Sequence, residues 1–118
     1  MLYFAVDYDA STNDITGCVT QYFNGVVGAL KAFAAANQAA YSAGVYGSGA
    51  TCSAIVGADL ATCGWLAQST GWSGHDTYTG WSIRQGMPDV VVGLSVDPSD
   101  AIGEFGAISP VTQRAQPA

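Results

Sequence analysis

Positive charge is the scarcest feature of this sequence. Only three of the 118 residues are Lys or Arg, against nine Asp and Glu, so the net charge is −6 at pH 7. Nucleic-acid binding relies on clustered basic side chains that neutralise phosphates, and this chain has no such cluster. The excess of acids also argues against anionic membranes or other polyanions as partners.

Long apolar runs and signal segments are also missing. No run approaches the roughly 18 residues of a transmembrane helix, and no basic-then-apolar signal peptide begins the chain. Hydrophobic residues nevertheless make up 49% of the sequence and charged residues 10%, the reverse of the balance in disordered chains. We expect one folded domain over residues 1–108 and a flexible tail over residues 109–118.

Cysteine and histidine are too few for a paired metal site. Cys18, Cys52 and Cys63 lack the paired spacing of zinc ligands, and His75 is the only histidine. We expect no metal and no cofactor. Two interpretations of the thiols remain open. Cys52 pairs with Cys63 in an exported protein, or all three cysteines are small buried hydrophobes.

The chain does contain a series of short apolar runs that end in polar residues. The first, Leu2 to Val6, is followed by Asp7 and Asp9. Apolar residues at helical spacing follow an N-cap-rich start at Ser11, with a kink expected at Asn24-Gly25. The spacing predicts further strands over residues 43–47, 64–68, 80–85 and 90–96, and helices over residues 50–56 and 99–105.

This alternation of strands and helices predicts an α/β fold with a parallel sheet. The carboxyl ends of parallel strands are where such folds build active sites, so the five strand ends predict one polar rim. A closed eight-stranded barrel usually needs roughly 200 or more residues. The chain is therefore either a small open α/β domain or part of a barrel.

Several segments together resemble a known family. They are residues 3–9 (Tyr-Phe-Ala-Val-Asp-Tyr-Asp), 22–25, 44–49, 65–69, 71–74, 81–85 and 96–98. Their order resembles the second half of the glycoside-hydrolase-like domain of secreted actinobacterial proteins, which is related to the family 25 lysozymes. The resemblance implies a partial (β/α)8 TIM-type barrel, corresponding to strands four to eight, and a peptidoglycan substrate.

The resemblance also implies roles for the rim acids. Family 25 lysozymes carry Asp-x-Glu after strand four, with the glutamate as proton donor, and Asp9 stands at that position here. We expect Asp9 to be the general acid, Asp7 an electrostatic partner, and Asp97 a third rim acid that orients substrate or water. The alternative is that Asp7 and Asp9 cap the following helix. Because aspartate is shorter by one methylene, this departure favours a relative that binds glycan without hydrolysing it.

Aromatic and amide side chains near the strand ends suit sugar rings and hydroxyl groups. We predict that the substrate-binding residues are Tyr46, Gln68, Trp72, Trp81 and Gln85. Each also has a structural alternative, as a hydrogen-bonding or core residue, and Trp65 is expected in the core. His75 is expected to be a solvated loop residue.

Three functions therefore stay open at this point. The first is hydrolysis of cell-wall glycan, the second is a carbohydrate-binding relative that has lost hydrolysis, and the third is a truncated, non-functional barrel fragment. The expected partner is cell-wall polysaccharide, and the expected location is extracellular, cell-wall-associated or phage-encoded. Open sheet edges also predict self-association of the isolated chain.

Overall fold

The computed structural model describes residues 1–106, so the tail predicted over residues 109–118 lies outside the described part of the chain. A π-helical segment, Ile15–Val19, joins the first two helices into one continuous rod. The other elements, in chain order, are β1 (Leu2–Ala5), α1 (Thr12–Asp14), α2 (Thr20–Asn37), β2 (Ala43–Gly47), α3 (Gly49–Gly57), β3 (Cys63–Leu66), β4 (Ile83–Gln85), β5 (Asp89–Val91), β6 (Leu94–Val96) and β7 (Ser99–Ala101).

The main sheet has five strands in the order β1-β2-β3-β4-β7. The first four are parallel, as the sequence predicts, and β7 runs antiparallel to β4. Strands β1 and β7 form the two edges, so within residues 1–106 the sheet is open and no closed barrel is seen. The architecture is mixed α/β with a mostly parallel sheet.

Two predicted elements are wrong. Residues 90–96 are not one parallel strand but a separate antiparallel hairpin of β5 and β6, because Val92 and Gly93 both take positive φ and reverse the chain. Residues 99–105 do not form a closing helix. Ser99–Ala101 is strand β7, paired with β4, and the Arg84 guanidinium lies 3.6 Å from the Asp100 carboxylate across that pair.

The long helical region begins where the sequence predicts. The Ser11 side chain accepts a hydrogen bond from the Asp14 backbone N–H at 3.1 Å, which is the expected N-cap. The expected kink at Asn24-Gly25 is absent, since α2 runs unbroken through both residues. The irregular turn is Ile15–Val19 instead, where the backbone N–H and the hydroxyl of Thr20 both donate to the Ile15 carbonyl.

The core lies between the helices and one face of the sheet. Its fully buried members include Phe23 from α2, Val45 from β2, and Cys52 and Ile55 from α3. Burying each of the Phe, Val and Ile side chains contributes about 1.5–3 kcal/mol to the stability of the fold. This layer fixes the positions of β1, β2 and β3, and therefore the directions of the polar residues that follow them.

The cysteines are free thiols, so the Cys52–Cys63 disulfide, one of the two open interpretations, is not formed. Cys52 and Cys63 are buried, as the alternative interpretation expects, whereas Cys18 is exposed and contradicts it. Burial raises the pKa of the Cys52 thiol to about 12, so this group stays protonated at neutral pH.

The opposite face of the sheet is partly open. The strand register places Ala5, Tyr46, Trp65 and Ile83 in one row on that face, where each is exposed or half-buried. The Trp65 ring makes edge-to-face contacts with Tyr3 and Tyr46, both at 5.6 Å between centroids. Trp65 is therefore part of an aromatic layer on this face and is only partly a core residue.

Among the helices of residues 1–106, none is both long and apolar enough to cross a membrane.

Candidate functional site at the carboxyl ends of the strands

A hydrogen bond between Tyr46 and Gln85 lies at the centre of the polar rim. The Tyr46 hydroxyl, from β2, donates to Oε1 of Gln85, from β4, at 2.8 Å. The backbone N–H of Gln68, which follows β3, donates to the same oxygen at 3.4 Å. Because Oε1 accepts from both groups, the amide orientation is fixed, and Nε2 is the group left to donate to a ligand.

Two carboxylates act on the Tyr46 phenol. Burial, followed by the negative charges of Asp7 and Asp97, raises the pKa of Tyr46. Asp7 lies two residues after β1 and Asp97 directly follows β6, and both side chains are exposed. The charges of the first and last predicted rim acids thus both act at one hydroxyl, which stays neutral at neutral pH.

Asp9 has a different partner. Its Oδ1 accepts a hydrogen bond from the backbone N–H of Ser73 at 2.9 Å. Asp9 is also not among the groups that raise the pKa of Tyr46. Asp7 and Asp9, expected to act as a pair, therefore affect different groups: the charge of Asp7 raises the pKa of Tyr46, whereas Asp9 accepts from Ser73. The role of Asp9 as general acid stays a prediction.

The other predicted binding residues lie around this cluster. Gln68 is half-buried, and its Oε1 is buried without a hydrogen-bond partner within residues 1–106. Trp72 is half-buried in the loop between β3 and β4. Trp81 lies just before β4, and the Arg84 guanidinium carbon is 4.8 Å from its ring centroid. One face of Trp81 is thereby occupied by a cation, which leaves only the other face for a sugar ring.

A cavity of about 320 Å³ opens beside Asp7, at the exposed edge of β1. Its volume is at the lower end of the range for small-molecule sites. The sequence analysis assigns no site role to the residues that share this cavity with Asp7. They are Ala5, Val6, Tyr8, Cys18, Val19 and Tyr22. The signal that was available is Tyr22 itself, an aromatic residue that remains 47% exposed.

The remaining polar groups offer no second centre. Nδ1 of His75 lies 2.9 Å from Oδ1 of Asp76, so the histidine is paired within its own loop. Across residues 1–106 there is no cluster of three or more His, Cys, Asp or Glu side chains that could hold a metal ion. A cavity of about 270 Å³ near Lys31 and Tyr41 contains none of the candidate site residues, so we do not assign function to it.

Comparison with known proteins identifies the family. No curated protein and no solved structure matches the chain significantly. Residues 1–101 match the family model described as Rv2525c-like, glycoside hydrolase-like domain, which covers most of the 118 residues. The match includes the strand ends that carry Asp7, Tyr46, Gln85 and Asp97. The chain therefore belongs to the Rv2525c-like, glycoside hydrolase-like domain family.

Proposed function

We propose that the rim binds bacterial cell-wall glycan and that Asp7 and Asp97 supply the carboxyl pair for acid-assisted hydrolysis of a glycosidic bond. The observation that carries this proposal is that the charges of both acids raise the pKa of Tyr46. Asp7 and Tyr46 lie at the carboxyl ends of parallel strands, where such folds build active sites. Asp97 follows the antiparallel β5–β6 hairpin instead. Membership of a glycoside hydrolase-like family supports the reaction class.

The chemistry needs two carboxyl groups with different tasks. One donates a proton to the leaving oxygen, while the other stabilises the oxocarbenium-like transition state or activates water. In our proposal Asp7 and Asp97 share these tasks. Tyr46 and Gln85, joined to each other by a hydrogen bond, offer the substrate the phenol oxygen as an acceptor and Nε2 as a donor, and both suit sugar hydroxyl groups.

The surroundings of the acids suit a sugar polymer. The cavity beside Asp7 is lined by two aromatic side chains, Tyr8 and Tyr22, whose ring faces match the apolar faces of sugars. We further propose that the open sheet is a section of a barrel, as the family 25 resemblance implies, and that the domain acts outside the cell on the wall, either as a host or as a phage protein.

A second candidate function is glycan binding without hydrolysis. Asp9 stands where family 25 lysozymes carry the glutamate proton donor, and its carboxylate accepts a hydrogen bond from Ser73. A donor that is one methylene shorter and turned toward a loop is poorly placed for proton transfer. If Asp7 and Asp97 do not take over proton donation from Asp9, the rim can still bind glycan through its polar and aromatic groups but cannot hydrolyse it.

The experiment is clearing of a suspension of insoluble peptidoglycan, followed by turbidity. We expect the unmodified chain to clear the suspension, and Asp7→Asn and Asp97→Asn each to lower the rate by about 10²- to 10⁴-fold. Asp59→Asn is the matched control, because Asp59 precedes β3, at the end of that strand opposite to the rim, and its φ of 58° suits asparagine. This control should clear at the unmodified rate.

The same samples separate the two candidate functions. Absence of clearing with retained sedimentation of the chain on the glycan would establish the binding function and exclude the hydrolase. If the chain neither clears nor sediments with the glycan, both functions are wrong. Clearing that survives in Asp7→Asn and Asp97→Asn would reject these residues as the carboxyl pair.

A further inference from the structure

Ser73 is held from two sides by hydrogen bonds of its own peptide groups. Its N–H donates to Oδ1 of Asp9 at 2.9 Å, and its carbonyl accepts from the Ala50 N–H at 2.9 Å. Asp9 follows β1, and Ala50 lies in the first turn of α3. Ser73 is thus fixed between two distant parts of the chain.

The neighbouring residue packs too closely to move freely. Gly74 takes a φ of +77° and lies directly on the start of α3. A Cβ added to Gly49 would lie 2.0 Å from the Gly74 carbonyl oxygen, and one added to Gly74 would lie 2.6 Å from the Ala50 nitrogen. Both contacts require glycine, so the loop has one close-fitting position against the helix.

Trp72 immediately precedes this fixed point. Its backbone N–H donates to the Ser69 carbonyl at 3.0 Å, and its carbonyl accepts from the His75 N–H at 3.2 Å. The turn that carries Trp72 is therefore continuous with the part of the loop that Asp9 holds. Its half-buried indole lies in the connection between β3 and β4, the strands whose ends provide Gln68 and Gln85.

We propose that Asp9 is a positioning residue: its carboxylate oxygen holds the loop of residues 69–79 and thereby sets Trp72 for contact with the glycan. This inference rests on the proposed function for its ligand, but it assigns Asp9 a role other than proton donation. The contact requires only an acceptor oxygen at the Oδ1 position. An asparagine at position 9 supplies that oxygen with the same side-chain length, whereas alanine removes it.

The first test is hydrogen exchange at the Ser73 amide, measured by NMR on the full chain. In Asp9→Ala we expect exchange at Ser73 to accelerate by about tenfold or more, because a hydrogen bond to a charged group is lost. Asp9→Asn should stay within about threefold of the unmodified chain. Unchanged exchange in Asp9→Ala would overturn the proposal.

The second test is a double-mutant cycle on sedimentation with insoluble peptidoglycan. We expect Asp9→Ala and Trp72→Ala each to weaken binding by about three- to tenfold, and the double variant to be no weaker than Trp72→Ala alone. Asp9→Asn should bind as the unmodified chain does. Additive losses in the double variant, or a loss of binding in Asp9→Asn equal to that in Asp9→Ala, would overturn the action through Trp72.

The two proposals fail in different ways. If the unmodified chain does not sediment with the glycan, the proposed function is wrong and the glycan part of this inference is wrong with it. If the unmodified chain binds and Asp9→Ala binds equally well, only the positioning role is wrong. If the unmodified chain clears the suspension, and Asp9→Asn does not clear it but keeps the same exchange rate at Ser73, then Asp9 is the proton donor instead.

Discussion

At the scale of single residues, two tyrosines show how the surroundings determine what a phenol does. The Tyr46 hydroxyl donates a hydrogen bond to Gln85, and the charges of Asp7 and Asp97 raise its pKa. The Tyr78 hydroxyl is buried and has no hydrogen-bond partner within residues 1–106. It lies against β3, where a Cβ added to Gly64 would be only 2.6 Å away from it. A buried hydroxyl without a partner costs about 1–3 kcal/mol.

We therefore expect Tyr78→Phe to raise the free energy of unfolding by about 1 kcal/mol at pH 7. Burial raises the pKa of Tyr78 from 10.0 to about 12, so between pH 10 and pH 12 the unfolded chain loses this proton while the folded chain keeps it. That difference lowers the stability of the unmodified protein as the pH rises through this window. Tyr78→Phe should lose less stability there.

Urea unfolding at pH 7 and pH 11 measures both effects. Tyr41→Phe is the matched control, because Tyr41 is 43% exposed and contacts Phe33 only through its ring. This control should change stability little at either pH. A Tyr78→Phe protein less stable than the unmodified protein at pH 7 would show that the hydroxyl has a partner.

The rim also shows how far residue-level prediction reaches. The apolar run that precedes Asp7 and Asp9 correctly indicates that these acids lie near the carboxyl end of a strand. The groups that those acids affect lie far along the chain: Ser73, which donates to Asp9, and Tyr46, whose pKa the charge of Asp7 raises. Local sequence holds no information about such contacts, so only the geometry separates the two acids.

At the scale of elements, the β5–β6 hairpin contains an unusual turn. Val92 takes a φ of 51° and is fully exposed, and Gly93 follows with a φ of 74°. A β-branched side chain rarely occupies this left-handed region, and doing so costs on the order of 1–3 kcal/mol. Two-residue hairpin turns with both φ values positive favour Asn-Gly.

Val92→Asn should therefore stabilise the hairpin, with a gain of about 1 kcal/mol in the free energy of unfolding. Val90→Asn provides the control, since Val90 is also exposed but lies within strand β5, where asparagine is disfavoured. Thermal melts of the three proteins rank them, and we expect Val92→Asn to melt highest and Val90→Asn lowest. An unchanged or lower melting temperature for Val92→Asn would contradict the assigned strain.

The elements predicted correctly are those whose signals are local. The helix start at Ser11, the strand Ala43–Gly47 and the helix after Ser48 each follow from a cap or a short apolar run. The two failures have different causes, a local turn that the apolar run does not signal and a pairing between distant strands. The apolar run of residues 90–96 conceals a reversal at Gly93, and Ser99–Ala101 is extended because it pairs with β4, although Pro98 favours a helix start.

At the scale of the whole molecule, apolar surface remains uncovered at several places. Within residues 1–106 strand β1 has an unpaired outer edge, and it begins with Leu2, which is 39% exposed. The hairpin region adds the exposed side chains of Met87, Val90, Val91, Val92 and Leu94. Unprotected edges and apolar patches of this kind favour association between chains.

We expect the isolated chain to self-associate in a concentration-dependent way. A lysine on an edge strand opposes strand pairing, so Leu2→Lys should lower the average mass measured by light scattering at the same concentration. Ala35→Lys, on the exposed end of α2, adds the same charge away from the sheet and should leave the mass unchanged. A monodisperse monomer at all concentrations would contradict the prediction.

The order of the strands has a consequence for how the chain acquires its structure during synthesis. Strands β1 to β4 lie side by side in the order in which they are made, so each can join the growing edge as soon as it is complete. Pairing strands in chain order closes shorter loops than pairing distant strands would, although parallel pairs still form more slowly than hairpins. Contacts of β1 and β3 with the end of the described chain come last: the Tyr3 hydroxyl to the Phe105 carbonyl at 2.7 Å, and the Cys63 thiol to the Glu104 carbonyl at 3.4 Å. A nascent chain can thus hold the Asp7 and Tyr46 part of the rim in place before Gln85 and Asp97 have been made.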